Sequence, residues 1–252
     1  LIVSLLVQSL YNIVDSIFVA KMSEEALTAT SLAFPVQMLM IAFSVGTSVG
    51  VNALLSKTLG ARNRERATKI ANTGIMLAVF SLTGIFFAQK LARSFTTVES
   101  TAALCAEYLS ICMVFCFGNF IETMLQRFLQ AAGNTVLSMC SLIAGAVTNI
   151  MLDPILIFGL LGFPALGIRG AAIATVIGQW LGAAVALLLN RFCNREVIVD
   201  FRRFCPEKEI IFGIYKVGLP NIITQAISSV MVTLVNQILM PLSMSAVAFF
   251  GV

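Results

Sequence analysis

Long apolar runs separated by short polar connections dominate the chain. Seven can be marked, at about 1–20, 30–55, 70–88, 102–125, 136–158, 170–189 and 215–240. Each is long enough for a helix that crosses a bilayer, which needs roughly 20 apolar residues. The predicted fold class is therefore all-α, a polytopic membrane protein. Polar residues inside the runs are spaced as helix faces. The first run has Ser4, Gln8, Tyr11 and Asp15. The second has Gln37, Ser44, Ser48 and Asn52. The fifth has Ser141, Gly145, Asn149 and Asp153, each four residues apart, and the sixth has Thr175 and Gln179. Residues three or four apart share one side of a helix.

An aspartate at mid-span costs about 2.5–3.5 kcal/mol on insertion scales, so such acids usually face a cavity or an ion path. Asp15 and Asp153 are the two candidates, with Pro154 loosening the helix beside the second. The stripes Gln8, Tyr11, Gln37, Ser44, Ser48, Gly145 and Gln179 are expected to line a cavity. Small and hydroxyl residues at this spacing are also ordinary helix-packing glue. Glu107 and Glu122, near the two ends of the fourth run, are expected to be interfacial.

Composition agrees with a membrane protein. The chain is 59% hydrophobic and 11% charged, against about 25% charge in soluble domains. Its mean hydropathy is +0.97. The net charge of +4 lies in connections and does not read as a nucleic-acid surface. Lys57, Arg62, Arg64, Arg66, Lys69, Arg127, Arg191, Arg195, Arg202, Arg203, Lys208 and Lys216 fall on one side of the predicted topology. Lys21, Lys90, Arg93 and Arg169 fall on the other. The positive-inside bias makes the first side cytoplasmic in a cell membrane. The first run then points outward, and Asp15, Asp153 and Thr175 share the outer half of the bilayer.

Several chemistries are excluded or unsupported. No histidine is present, so a Cys/His zinc site is excluded, and the six cysteines form no framework. The basic segment from Gly60 to Ala67 lacks the spacing of a phosphate-binding loop. No enzyme activity and no cofactor are expected. The run after Asn221 repeats features of the run after Ser4, with Asn236 near the place of Asp15. The copies are six runs apart, an even number, which predicts parallel repeats. The expected organisation is a first six-helix lobe at 1–190, a basic linker at 191–214 and the start of a second lobe at 215–252. The chain opens inside an apolar run and stops without a polar tail, so both ends are expected to extend further.

Four stretches carry a family resemblance. They are Tyr11-Asn-Ile-Val-Asp15-Ser-Ile-Phe-Val, Gln130-Ala-Ala-Gly133-Asn-Thr, Asn149-Ile-Met-Leu-Asp153-Pro and Gly167-Ile-Arg-Gly170-Ala-Ala-Ile-Ala-Thr175. In this order they resemble the multidrug and toxic compound extrusion family of secondary transporters. The resemblance implies twelve helices in two lobes in the full-length protein. It also implies export of organic, often cationic, compounds by Na⁺ or H⁺ antiport. In similar members the cation site is formed by residues matching Asp15, Asn149, Asp153 and Thr175, and all four are of the expected type here. The expected partners are small organic substrates and the lipid bilayer, and the expected state is a monomer. Two other readings stay open, a flippase for lipid-linked precursors and a non-transporting receptor or scaffold. An all-oxygen site suits either Na⁺ or a proton. Burial of two acids at one depth favours the proton.

Overall fold

The computed structural model describes residues 24–92, 117–162, 164–194 and 207–239, with short pieces at 6–7, 13–14, 17–18, 111 and 196–197. Within residues 24–92 the side chains are described for 37–79. All regular structure among the described residues is helical. The helices are α1 (Glu24–Gly60), α2 (Arg64–Ala92), α3 (Phe117–Ala131), α4 (Thr135–Phe158), α5 (Ile168–Cys193) and α6 (Lys208–Leu239), with one 3₁₀ turn at Leu160–Gly162.

Five of the seven apolar runs thus coincide with helices, and the end of the fourth falls in α3. Most helices extend past their runs, α6 by seven residues at its start. Among the described residues, four stretches are long and apolar enough to cross a membrane: Gln37–Gly60, Thr135–Phe158, Ile168–Cys193 and Lys208–Val232. The first run lies almost wholly outside the described residues. Its Phe18 ring meets Phe158, at the end of α4, edge-on at 6.4 Å.

The packing is inside-out relative to a soluble protein. On α4 the buried face is Ser138, Ser141, Gly145, Asn149, Asp153, Leu156 and Ile157, while Val136, Val147, Met151 and Phe158 are exposed. Leu181, Leu187 and Leu188 of α5 and Ile223, Ile227 and Val230 of α6 are exposed too. Apolar side chains face outward because the surroundings are lipid, and the polar stripe is enclosed because it has partners only inside. The chain is an integral membrane protein.

Lipid gives helices no hydrophobic reason to associate, so contact is made by letting backbones approach. A Cβ on Gly218 of α6 would lie 2.6 Å from the Gly46 carbonyl oxygen of α1. On the other pair, a Cβ on Gly145 of α4 would lie 3.0 Å from the Gly178 carbonyl oxygen of α5. These two crossings organise the bundle. The α1–α6 and α4–α5 pairs are joined through α3, which packs on α1, α2, α4 and α5.

The motif stretches shape the connections. After α3, Gly133 takes φ +84°, and Asn134 N–H donates to the Leu129 carbonyl at 2.8 Å, closing the helix end. After α4, Gly159 takes φ +74° and donates to Ile155. Leu166 N–H then returns to the Leu156 carbonyl at 3.0 Å, so α5 starts against the end of α4. Gly170 lies in that corner, where a Cβ would meet the Leu156 carbonyl oxygen.

The opposite end of the bundle is basic. Asn190 Nδ2 donates to the Leu125 carbonyl at 2.9 Å, and Asn194 Nδ2 to that of Phe128 at 3.4 Å. Together they moor α5 on α3. Lys69 of α2 pairs with Glu207, next to the start of α6, at 2.8 Å. Arg64 pairs with Glu196 at 3.5 Å. The apolar core of Val51, Leu55, Ile70, Ala71, Met124, Phe128, Ile210 and Ile214 lies in the same half.

Candidate functional site

The half remote from the basic end holds the polar site. Asn149 and Asp153 project from the buried face of α4, one turn apart, and Thr175 projects from the second turn of α5. Their relative exposures are 1%, 0% and 7%. Asn149 Nδ2 lies 3.5 Å from Asp153 Oδ1 and 3.3 Å from Thr175 Oγ1. Both distances are long for an N–H···O contact, so the amide is shared loosely between the acid and the hydroxyl. The Thr175 hydroxyl donates to the Ala171 carbonyl at 3.0 Å, which leaves its lone pairs directed toward Asn149. Asn149 Oδ1 is buried and makes no hydrogen bond among the described residues. Pro154 has no N–H, so the bond that would close on the Ile150 carbonyl is missing from this turn.

Chemically this is a cluster of oxygens with one amide and one carboxylate. An oxygen buried without a donor costs about 1–3 kcal/mol. A small cation, or a proton on Asp153, would meet it. The Asn149, Asp153 and Thr175 candidates therefore come together as one group. Gly178 holds that group against α4, since a Cβ there would sit 2.8 Å from the Gly145 carbonyl oxygen and 3.1 Å from Asn149 Cβ.

The other candidates have different settings. Gln8, Tyr11 and Asp15 lie outside the described residues. Ser44 and Ser48 are buried on α1, each with its Oγ making no hydrogen bond among the described residues, and Gln37 and Gln179 are half-buried. Gly145 packs directly on α5. Side chains of Glu107 and Asn236 are likewise outside the description.

One buried acid departs from the interfacial expectation. Glu122 of α3 is 9% exposed and accepts from Gln126 Nε2 at 3.1 Å. Its carboxylate fills the space left by two glycines of the neighbouring helices. The reason it escaped is geometric: it lies four residues from Gln126 on a helix end rich in polar groups, and the glycines that make its room are on other helices. Asn190 and Asn194 were also missed, although their four-residue spacing is the same signal as Asn149 and Asp153.

Comparison with known proteins decides the family. The MatE family model matches residues 1–155. The chain belongs to the MatE family. It is 34% identical over 189 residues to a probable multidrug resistance protein, YoeA, of Bacillus subtilis, covering 70% of this chain and 40% of that one. It is 30% identical over 179 residues to an FAD transporter of Shewanella oneidensis, covering 68% and 39% respectively. An inward-facing structure of a multidrug resistance MATE transporter of the MOP superfamily superposes with TM-score 0.82 at 29% identity, over 97% of this chain and 56% of that one. This MatE chain thus spans about half the length of that transporter, and less of the two curated relatives.

Proposed function

We propose that the full-length protein is a secondary active transporter that exports organic, often cationic, compounds in exchange for protons. The observation that carries this reading is the buried Asn149–Asp153–Thr175 group, in which one amide bridges an acid and a hydroxyl from two helices. A carboxyl enclosed in a membrane bundle is costly unless it does work, and cation coupling is the work an all-oxygen cluster can do. Asp15 joins the group in this proposal. Phe18, three residues after it, lies against Phe158, five residues after Asp153. The family match, the relative named a probable multidrug resistance protein and the relative named an FAD transporter support the same class.

The mechanism follows from charge. Uptake of a proton by the site removes a buried charge from the first lobe. That changes the relative stability of the two arrangements of the lobes, and substrate leaves on the side from which the proton came. A proton suits the group better than Na⁺. Asp153, Asn149 Oδ1 and Thr175 Oγ1 offer few of the six or more oxygens that a hard cation such as Ca²⁺ takes. Purified full-length protein in liposomes is expected to move a fluorescent organic cation when a pH gradient is imposed. Equal dye movement with and without protein would refute transport.

The basic end is cytoplasmic in this reading, which puts the acid group in the outer half of the bilayer. A cysteine at Ala165, near the start of α5, should react with an impermeant thiol reagent in intact cells, and one at Ala61 should not, both on a cysteine-free background. Both positions are exposed. The reverse pattern would invert the orientation and the direction of coupling.

A further inference from the structure

The bundle contains a second buried carboxyl that neither the fold nor the site above uses. Glu122 sits where α3, α4 and α5 meet. A Cβ on Gly182 of α5 would collide with Glu122 Oε1 and lie 2.7 Å from its Cδ. A Cβ on Gly145 of α4 would lie 3.5 Å from the same oxygen. Two helices therefore present bare backbone to this one side chain. The recess is fitted to a carboxyl, and a larger residue on either wall would force the Glu122 side chain or the facing backbone to shift.

Among the described residues the surroundings supply no positive charge. Gln126 Nε2 donates at 3.1 Å, while Gly145 and Gly182 offer only Cα hydrogens and backbone. Arg127 on the same helix donates to Gln130 Oε1 at 2.7 Å, and so faces away along α3. Of the titratable groups on the helices packed around α3, Arg169, Arg191, Cys140, Cys193 and Lys57 are exposed. Arg64, Glu65, Arg66 and Lys69 belong to the first turns of α2, and Lys69 is committed to Glu207. An ionised carboxylate enclosed without a cation is among the costliest groups a bundle can hold. The chemistry that fits this recess is a proton.

Position gives that proton a use. Asp153 and Asn149 lie eight and four residues beyond Gly145 on the same face of α4, so the two acids are about 12 Å apart along the helix by its rise of about 1.5 Å per residue. Gly178 touches Asn149, and Gly182, one turn on, touches Glu122. Both acids thus sit in one α4–α5 seam, Asp153 toward the end remote from the basic loops and Glu122 toward the basic end. Beyond Glu122 the polar side chains continue through Gln126, and near the end of α3 Gln130 Nε2 donates to Ser138 Oγ at 2.9 Å.

We infer that Glu122 is a second proton-binding site of the lobe, through which the proton taken up at the Asp153 group leaves toward the basic end. The step is proton transfer alone. An O–H bond breaks at Asp153, water in the α4–α5 seam accepts that proton and gives up another, an O–H bond forms at a Glu122 oxygen, and that bond breaks again as the proton passes to water at the basic end. The inference rests on the antiport reading for the direction of flow. The existence of a protonated Glu122 does not depend on it.

The test is infrared difference spectroscopy of the full-length protein in lipid, titrated with pH in H₂O and repeated in D₂O. A buried protonated carboxyl gives a carbonyl band that shifts on deuteration. Protonated Asp15 and Asp153 give bands of their own, so the Glu122 band is the one expected to persist in D15N/D153N and to disappear when E122Q, a substitution of nearly the same shape, is added. In liposomes, E122Q should alter the pH profile of transport, whereas E122D, which keeps the acid, should restore part of it. If E122Q does not give folded protein, G182A replaces it. The added methyl displaces the carboxyl, so the band should shift. On the D15N/D153N background, a carboxyl band that survives E122Q unchanged, or that ignores G182A, overturns the proposal. Loss of the band without any transport in the wild-type protein would leave proton binding standing and defeat only the antiport reading.

Discussion

Asp153→Asn in the full-length protein is expected to abolish export while leaving expression and membrane insertion intact. Asparagine keeps the shape of aspartate, and its side-chain carbonyl can still accept from Asn149 Nδ2, as Asp153 Oδ1 does at 3.5 Å. The α4–α5 seam therefore stays closed. What is lost is the ability to exist in charged and neutral forms, which is the only property that lets this position respond to a cation. Insertion should if anything be easier, since an acid at mid-span costs about 2.5–3.5 kcal/mol on insertion scales. Asp15→Asn should give the same result, because the proposal puts both acids in one group. The measurement is efflux of a dye from cells, normalised to the amount of protein in the membrane fraction. Efflux at the wild-type level from a well-expressed D153N protein would remove Asp153 from the mechanism.

The second large effect is expected at a residue with no chemistry. Gly178→Leu should cause loss of stably folded protein, and of transport with it. A Cβ at this position would already be 2.8 Å from the Gly145 carbonyl oxygen and 3.1 Å from Asn149 Cβ. A leucine must push α5 away from α4 along their whole crossing. Overpacking of this kind costs about 1–3 kcal/mol and sometimes more. Here it also separates Thr175 from Asn149, which meet at 3.3 Å. Gly60→Leu is the matched control, since a Cβ there meets nothing within 4 Å. Thermal stability in detergent, followed by size-exclusion chromatography after heating, distinguishes the two. A G178L protein as heat-stable as G60L would show that the seam is loose.

Much of this arrangement was legible because a membrane simplifies the rules. Apolar run length located five helices and the beginning of α3, and the polar stripe Ser141, Gly145, Asn149 and Asp153 turned out to be most of the buried face of α4. Spacing alone paired Asn149 with Asp153, since both are on one helix. Thr175 was placed with them by family resemblance and by depth. Periodicity has no means of saying that α5 presents its second turn to the middle of the α4 stripe. That depends on the tight Gly159–Gly170 corner, where backbone bonds such as Leu166 to Leu156 fix how the hairpin closes.

Glu122 illustrates the opposite case. Its own helix gives little warning, because a glutamate followed by glutamine and arginine reads as the polar end of a span. The information is spread over Gly145 and Gly182, residues that a one-dimensional reading treats as generic helix-packing positions. Side-chain volume on three helices has to be considered together before the recess is visible. The same holds for Asn190, whose partners Leu125 and Ala186 are carbonyls that no sequence pattern marks.

The central claim is that the buried acid of the first lobe couples export to protons. Its most direct test uses full-length protein in liposomes with no Na⁺ on either side and an imposed pH gradient. The wild-type protein should accumulate an organic cation against its gradient, collapse of the pH gradient should release it, and D153N should do neither. Transport that requires a Na⁺ gradient and ignores the pH gradient would contradict the claim.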